Sequence, residues 1–405
     1  MNADYDVVII GGGMVGTTLA CALGDSDLKV AVVEARPAEM EWEADSVGMR
    51  CSAITAASQQ IFTSLGAWES MAAMRVSPFR EMQVWDAEGN GAVHFDSADI
   101  AQDKLGHIVE NRVVQAALTK RIDDFDNVEL LCPEMLEDQD TSGELAQLQL
   151  KERGTITARL VVGADGANSR VREHAGIETK GWPYNQSGIV TMIRTELPHQ
   201  ETAWQRFMPT GPLAFLPLKN GCCSIVWSTS PENAEALLAL SDEAFMTALS
   251  HASEQRLGNV LEVGPRGAFP LKRQHAETYI GNHLALIGDA AHAIHPLAGQ
   301  GVNLGLLDAA ALAEVLLDAH AKNKDIGAMH VLRRYERWRK GDNLIMMTAM
   351  DGFKKLFGSD ELPLKWLRNE GLSITDKLSP VKNQIMLHAM GYKGDLPALA
   401  RYAAI

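Results

Sequence analysis

The sequence predicts an α/β protein with a parallel sheet, a second sheet that is antiparallel, and a helical C-terminal part. Residues 5–34 show a strand–helix–strand pattern with three glycines in the first turn. Short apolar runs typical of buried parallel strands recur at Thr157–Gly163 and Leu284–Ile287. Between residues 181 and 275, short strand patterns alternate with Pro, Gly and Asn turns, which favours an antiparallel sheet. The strand–helix–strand pattern of residues 5–34 is Rossmann-like.

The hydrophobic pattern assigns the remaining elements in chain order. Strands are predicted at Tyr5–Ile10, Leu28–Glu34, within 79–98, and at Val128–Leu131, Ala146–Leu150, Thr157–Gly163, Gly188–Arg194, Gly211–Leu218, Cys222–Ser228 and Leu284–Ile287. Helices are predicted at Met14–Leu23, within 55–75, at Val109–Ile122, at Gly301–His320, and from residue 330 to the end.

The sheet-like segments interrupt the dinucleotide-type elements, so we expect a first domain that is discontinuous in sequence. The predicted domains are residues 1–75, 107–180 and 276–330 for the parallel-sheet domain, 76–106 and 181–275 for the antiparallel-sheet substrate domain, and 331–405 for the helical C-terminal region.

Composition narrows the class of protein. The 405 residues carry a formal net charge of −15, which excludes a typical nucleic-acid binder because phosphate binding needs an excess of Lys and Arg. No apolar run is long enough to span a membrane, and the N-terminus shows no signal-peptide pattern, which argues against export. The five cysteines are an odd number without zinc-like spacing, as expected in a reducing cytoplasm.

Three motifs carry the predicted chemistry. The glycines of Gly11-x-Gly13-x-x-Gly16 permit a tight turn, close approach of a pyrophosphate and close helix packing. Glu34 ends the second strand, where a carboxylate can bind ribose hydroxyls and repel a 2′-phosphate. The motif therefore predicts the adenosine of FAD or NAD rather than of NADP.

The second motif places an acid at the carboxyl end of a buried strand. Gly288-Asp289 follows that strand, and Gly299–Asn303 opens a long helix. Ligands bind at such strand ends, and free amides at a helix start suit an anion.

The third motif, Gly163–Arg172, runs from a buried strand through Asp165-Gly166 to two arginines that can reach phosphate. Taken alone, the motif is more typical of an ordinary turn with solvated arginines.

In this order the motifs resemble the class A FAD-dependent aromatic hydroxylases of the para-hydroxybenzoate hydroxylase type, and most closely their ubiquinone-biosynthesis branch. The segments that carry the resemblance are Arg50–Ile54, Gly106–Asn111, Ala158–Ser169, Gly288–His292, Asn303–Gly305, Tyr335–Arg337 and Met350–Phe353.

The resemblance implies roles for individual residues. Cofactor-binding residues would be Gly11, Gly13, Gly16, Glu34, Arg50, Asp165, Arg172, Gly288, Asp289, Gly301 and Asn303. Residues at the reaction centre would be Pro296, Gly299, Gln300, Gly301 and His107, with the first four against the flavin ring.

The resemblance also implies the reaction. FAD, reduced by NAD(P)H or another donor, would react with oxygen to a C4a-hydroperoxide that hydroxylates a polyprenylated phenol or quinol. We favour 2-polyprenylphenol as the substrate over a later methoxy-methyl-polyprenyl benzoquinol. A flavin oxidase or dehydrogenase and a non-catalytic FAD-retaining partner of a biosynthetic complex stay open as alternatives. The sequence sets no oligomeric state, and a homo-oligomer is compatible with it.

Three further patterns give expectations. His292-x-x-His295 is an incomplete metal site, so we expect no metal there. The aromatic residues Trp182, Tyr184, Phe207, Phe215 and Trp227 are candidates to line an apolar substrate pocket.

The C-terminal segment is basic, since residues 332–405 carry 13 Lys and Arg against 8 Asp and Glu. Their basic run, Arg333, Arg334, Arg337, Arg339 and Lys340 beside Leu344–Met347, could contact an anionic membrane surface at the cytoplasmic face, or else pack on the protein body.

Overall fold

The computed structural model describes residues 3–43, 46–89, 91–293, 301–357, 378–392 and 394–402. Its strands are β1 Tyr5–Ile10, β2 Val30–Val33, β3 Cys51–Ile54, β4 Ser77–Phe79, β5 Glu81–Asp86, β6 Ala92–Asp96, β7 Gly106–Glu110, β8 Val128–Leu131, β9 Leu136–Asp140, β10 Ala146–Leu150, β11 Gly154–Gly163, β12 Thr179–Thr195, β13 Thr202–Met208, β14 Gly211–Pro217, β15 Cys222–Thr229, β16 Val260–Val263, β17 Gly267–Ala276, β18 Ile280–Gly281, β19 Leu284–Leu286 and β20 His292–Ala293. Its helices are α1 Met14–Ala22, α2 Ala56–Ser64, α3 Trp68–Met74, α4 Asn111–Ile122, α5 Arg170–His174, α6 Pro231–Leu238, α7 Asp242–Ala252, α8 Gly301–Ala321, α9 Met329–Phe357 and α10 Ser379–Ala389.

The first sheet is parallel at its centre. Its order is β18-β19-β11-β1-β2-β8, and every pair from β19 to β8 is parallel. The hairpin of β9 and β10 pairs antiparallel with the N-terminal half of β11. The apolar side chains of β1, β2, β11 and β19 form one core with those of α1, α4 and α8. Burial on both faces explains why these strands are almost uninterrupted runs of Val, Ile and Leu.

The second sheet is antiparallel apart from one pair. Its order is β20-β17-β12-β15-β14-β13-β5-β6, with β16 beside β12 and only β13 and β5 parallel. Helices α6 and α7 cover one face with a core of their own. A small third sheet, β3-β7-β4, lies beside these units. The predicted α/β class with a parallel and an antiparallel sheet is confirmed.

The sequence pattern predicts none of β13, β16, β17, α6 and α7, and the predicted elements differ from the structure around the small sheet. The helix predicted from Val109 begins at Asn111, because Gly106–Glu110 form the central strand of that sheet. Its outer strands were not predicted, since three or four residues are too few to show a periodic pattern. The C-terminal part is helical as predicted over α9 and α10, and residues 358–377 lie outside the described residues.

A buried ionic cluster joins α8, α9 and the segment after β19. Asp308 of α8 is fully buried, and its Oδ2 lies 2.5 Å from Nε2 of His292 and accepts the amide of Gly288 at 3.2 Å. Its Oδ1 accepts from Nε of Arg339 at 2.9 Å and from Nδ2 of Asn343 at 3.0 Å. Both carboxylate oxygens therefore have two partners each.

The charge on Asp308 is maintained by its partners. Burial alone would raise the pKa of its carboxyl, but His292 and Arg339 outweigh burial and hold that pKa at about 2. The carboxylate is ionised at neutral pH, so removing a cation would leave a buried unpaired charge.

Helix α9 presents its polar cluster residues on its inner side. Tyr335, Arg339 and Asn343 follow one another at intervals of four residues, which places them on one helix face. The hydroxyl of Tyr335 donates to the Leu286 carbonyl at 2.7 Å. Of the two alternatives given for the basic run, Arg339 follows the second and packs on the protein body, because its guanidinium pairs with Asp308 inside. Lys340 is also engaged, as it donates to the Glu277 carbonyl.

We predict that Arg339→Met lowers the free energy of unfolding by about 3–5 kcal/mol, because it leaves the buried Asp308 carboxylate without its cation. Urea unfolding of the holoprotein measures this loss.

The matched control is Arg334→Met on the same helix, which breaks an exposed ion pair with Asp318. Exposed pairs contribute little, so this variant should unfold near the wild-type midpoint. Equal midpoints for the two variants would contradict a stabilising role of the cluster.

Candidate functional site

A cavity of about 750 Å³ lies between the first and second sheets. One side is lined by the turn after β1, the segment after β11, the segment after β19 and the start of α8. The other side consists of residues of β5, β12–β15 and β17, which we call the second-sheet wall. A cavity of this size and dual lining is typical of a cofactor site at the carboxyl ends of parallel strands.

The glycine turn after β1 has the geometry that the motif predicts. Gly11 has φ +107°, and a Cβ there would lie 2.5 Å from the Ala164 carbonyl oxygen. A Cβ on Gly16 would lie 1.9 Å from the Gly11 oxygen. At Gly13 a Cβ would meet nothing within 4 Å, because this residue faces the cavity. The turn therefore lets a ligand approach the backbone at Gly13.

Two helix starts face the cavity. Helix α1 has no side-chain cap at Gly13 and no acidic residue in its first turn. Helix α8 also has no acid in its first turn, and its Gly301 and Val302 line the cavity. Free backbone amides and the positive ends of two helix dipoles therefore point at the same space, which suits an anionic ligand.

Glu34 lies at the end of β2, beside the glycine turn. Its Oε2 accepts the Gly12 amide at 2.7 Å, and its Oε1 accepts the Arg36 amide at 3.0 Å. These two bonds fix the orientation of the carboxylate and leave each oxygen a second lone pair. The side chain can therefore accept hydrogen bonds from ribose hydroxyls. Glu34 is not part of the cavity lining itself, and its contact with a ribose stays a prediction.

Asp289 lies on the cavity lining, immediately after Gly288, whose φ is +59°. Its side chain is exposed toward the cavity. The protein atoms that surround it raise the pKa of Asp289 by desolvation, while His292, Arg50 and Lys272 act in the opposite direction. A carboxylate in such a place can bind the hydroxyls of a polyol.

Asp165 and Arg172 stabilise the backbone of the third motif through hydrogen bonds to main-chain groups. Oδ2 of Asp165 accepts the amides of Arg170 and Val171 at 2.7 and 3.2 Å. The guanidinium of Arg172 donates to the carbonyls of Ala290 at 2.8 Å and Ala167 at 3.0 Å. Neither side chain lines the cavity, although Gly166, Ala167 and Asn168 do. Their direct contact with phosphate stays a prediction.

Two contacts link the cofactor side of the cavity to the second-sheet wall. The guanidinium of Arg50 lies 5.3 Å from the centre of the Phe269 ring. The ammonium of Lys272 donates to Asn168 Oδ1 at 2.7 Å. Asn168 belongs to the third motif, but Lys272 is not recognisable as its partner from the sequence, because only the fold brings β17 against that motif.

The remaining predicted site residues differ in their placement. Pro296, Gly299 and Gln300 lie outside the described residues, as does His295. The side chain of Asn303 bonds the Ala53 carbonyl and the Thr55 amide, which joins α8 to β3.

His107 does not line the cavity. It lies on β7 with its ring 4.8 Å from that of Trp68, and burial lowers its pKa to about 4. Its role at the reaction centre, like that of the residues outside the described ranges, stays a prediction.

The prediction that the five aromatic residues line the pocket is wrong. Residues of a strand point alternately to the two faces of its sheet. On β15, Ser224, Val226 and Ser228 line the cavity, whereas Trp227 packs against Phe245 of α7 on the opposite face. Phe207 and Phe215 are likewise in core clusters, and Trp182 and Tyr184 do not line the cavity. The second-sheet wall is instead formed mainly by small and aliphatic side chains.

Among the described residues, no group of three or more His, Cys, Asp or Glu side chains could hold a metal ion. His292 is buried against Asp308, and the five cysteines are free thiols.

The lining fits FAD. The open backbone at Gly13, the starts of α1 and α8 without acidic residues and the polyol acceptor Asp289 line one side of a single cavity, and Glu34 lies next to this lining, bonded to the Gly12 amide.

Comparisons with known proteins agree with this geometry. A family described as "FAD binding domain" matches residues 4–340. The chain is similar to 3-demethoxyubiquinol 3-hydroxylase of Escherichia coli, at 40% identity over 96% of this chain and 99% of that protein. It is also similar to the mitochondrial ubiquinone biosynthesis monooxygenase COQ6 of Danio rerio, at 38% identity over 96% of this chain and 90% of that protein. The crystal structure of p-nitrophenol 4-monooxygenase from Pseudomonas putida shares the fold, with a TM-score of 0.78 and 20% identity over 96% of this chain and 99% of that chain.

We predict that Asp289→Ala is purified folded but largely without FAD, because it removes a carboxylate from the cofactor side of the cavity. Flavin absorbance per polypeptide measures the loss, and circular dichroism checks the fold. Asp25→Ala, an exposed change beyond the far end of α1, is the control and should retain the flavin. A folded Asp289→Ala protein with a full complement of FAD would exclude this contact.

Proposed function

Because the chain belongs to the FAD-dependent monooxygenase family, and within it to the ubiquinone-biosynthesis hydroxylases, we propose that it hydroxylates the aromatic ring of a polyprenylated phenol or quinol. The single observation that supports this most directly is the continuity of the cavity. An FAD-type lining and a largely apolar wall face each other across one space of about 750 Å³.

The residues of the first sheet and of α8 would hold the cofactor. The amides at Gly13 and the start of α1 would bind the pyrophosphate, Glu34 the adenosine ribose, and Asp289 the ribityl chain. The start of α8 would place its positive end toward the flavin ring. When bound and reduced, FAD supplies the activation of molecular oxygen. The electrons would come from NAD(P)H or another donor.

The second-sheet wall would hold the substrate ring and exclude water. Met82, Ala203, Ala214, Leu216 and Val226 give this side of the cavity an apolar surface. Exclusion of water protects an activated oxygen species from unproductive decay.

The experiment is single-turnover oxidation of the reduced holoenzyme with two short-tailed substrates, a 2-prenylphenol and a methoxy-methyl-prenyl benzoquinol. Labelled oxygen gas should place one labelled atom on the ring of at least one of them. Of the two we expect the 2-prenylphenol to be the better substrate. Release of all the oxygen as hydrogen peroxide with both compounds would contradict the hydroxylase and favour the oxidase alternative.

The position of α9 supports a finer proposal about location. No helix among the described residues is long and apolar enough to cross a membrane. Leu344 and Ile345 of α9 are 38% and 67% exposed, on the same outer side of the helix as Arg333 and Arg337. We propose that this outer side of α9 rests on the anionic face of a bilayer, where a polyprenylated substrate resides.

Co-sedimentation with vesicles tests this contact. The holoprotein should bind vesicles with anionic lipid better than neutral ones. Arg333→Glu combined with Arg337→Glu should abolish the difference, since each basic residue near such a surface contributes about 1 kcal/mol. Lys151→Glu combined with Arg153→Glu makes the same charge change at an exposed turn before β11 and should leave binding intact. Equal binding by the two double variants would exclude this face of α9.

A further inference from the structure

The second-sheet wall contains one amide side chain among the described residues, that of Gln205. Gln205 lies on β13, directly opposite Ala214 of β14 on one side and Val84 of β5 on the other. Ala214 in turn lies opposite Val226 of β15. The amide therefore lies in a row of side chains that have no polar group to offer it.

Gln205 is only 7% exposed, its amide makes no hydrogen bond within the described part of the chain, and the surface that it keeps faces the cavity. A side-chain amide can donate two hydrogen bonds and accept two. A polar side chain on a largely apolar cavity wall binds whatever polar group enters the cavity. Because Gln205 lines the cavity, a molecule in the cavity can supply the missing partner.

The surroundings restrict what that molecule can be. Ala203, Ala214 and Val226 offer only small or branched apolar surface around the amide. An aromatic ring with one or two oxygen substituents matches this combination, since its face is apolar and its edge is polar. The cofactor side of the cavity has its own polar groups and does not need this one.

We propose that Gln205 binds a ring oxygen of the aromatic substrate and thereby determines which ring carbon faces the flavin. This inference rests on the proposed function and names the residue that sets the position of hydroxylation. The amide can accept from a phenol hydroxyl and can donate to a quinol or methoxy oxygen. The prenyl tail would then leave along the aliphatic part of the wall.

The experiment uses the Gln205→Met holoenzyme, because Met has nearly the length of Gln and no hydrogen-bonding amide. Titration of the oxidised holoenzyme with the short-tailed substrate, followed by the flavin absorbance change, measures binding. We expect Kd to rise about tenfold or more, as for the loss of a buried hydrogen bond. In single turnover, hydrogen peroxide should increase at the expense of ring product, and the site of hydroxylation should become mixed.

Gln147→Met on the exposed face of β10 is the matched control and should behave as the wild type. FAD content should be unchanged in both variants. Wild-type Kd, coupling and product in Gln205→Met would overturn the role of Gln205, even if the wild-type enzyme hydroxylates the ring. If Gln205→Met does not fold, Gln205→Asn, which withdraws the amide by one methylene, gives the same test. If the wild-type enzyme yields no ring product at all, the proposed function fails, whereas an unchanged Kd alone counts against Gln205.

Discussion

The cofactor side of the cavity depends on one buried carboxylate, that of Asp308. It holds the Gly288 amide and His292, which lie on either side of the cavity-facing Asp289. Asp308 also accepts a hydrogen bond from Arg339, which attaches α9 to the same carboxylate. A buried charge tolerates few arrangements, because each partner must be within bonding distance. The segment after β19, α8 and α9 are therefore constrained together.

The two faces of the second sheet have different roles: one packs in a core, and the other lines the cavity. One face packs on α6 and α7 with large side chains such as Trp227 and Phe245. The other face presents mainly small and aliphatic residues to the cavity, together with Phe269. Because side chains alternate along each strand, a single strand such as β15 serves both purposes.

The sequence locates the Gly13 turn and the Gly288–Asp289 segment that line one side of the cavity, but not the opposite wall, for a physical reason. The glycine turn, Glu34 and Asp289 are recognisable because each follows a buried strand within a few residues. The wall is assembled from strands far apart in the chain, whose register and facing are set by packing. Asp308 did carry a signal, as a lone acid in an otherwise apolar stretch of α8 needs a buried partner. That the partner is Arg339 could not be inferred, since the approach of α9 is a tertiary feature.

The state of the buried polar groups distinguishes those that hold the fold from those that face a ligand. Asp308, Arg339 and Asn343 satisfy one another, and the outer nitrogens of Arg172 bond two carbonyls. Around the cavity the pattern is reversed. The helix starts at Gly13 and Gly301 have no acidic residue in their first turns, and Gln205 is buried beside apolar neighbours. These helix starts and the Gln205 amide face the same cavity, and in our proposals a cofactor and an oxygen-bearing ring are their partners.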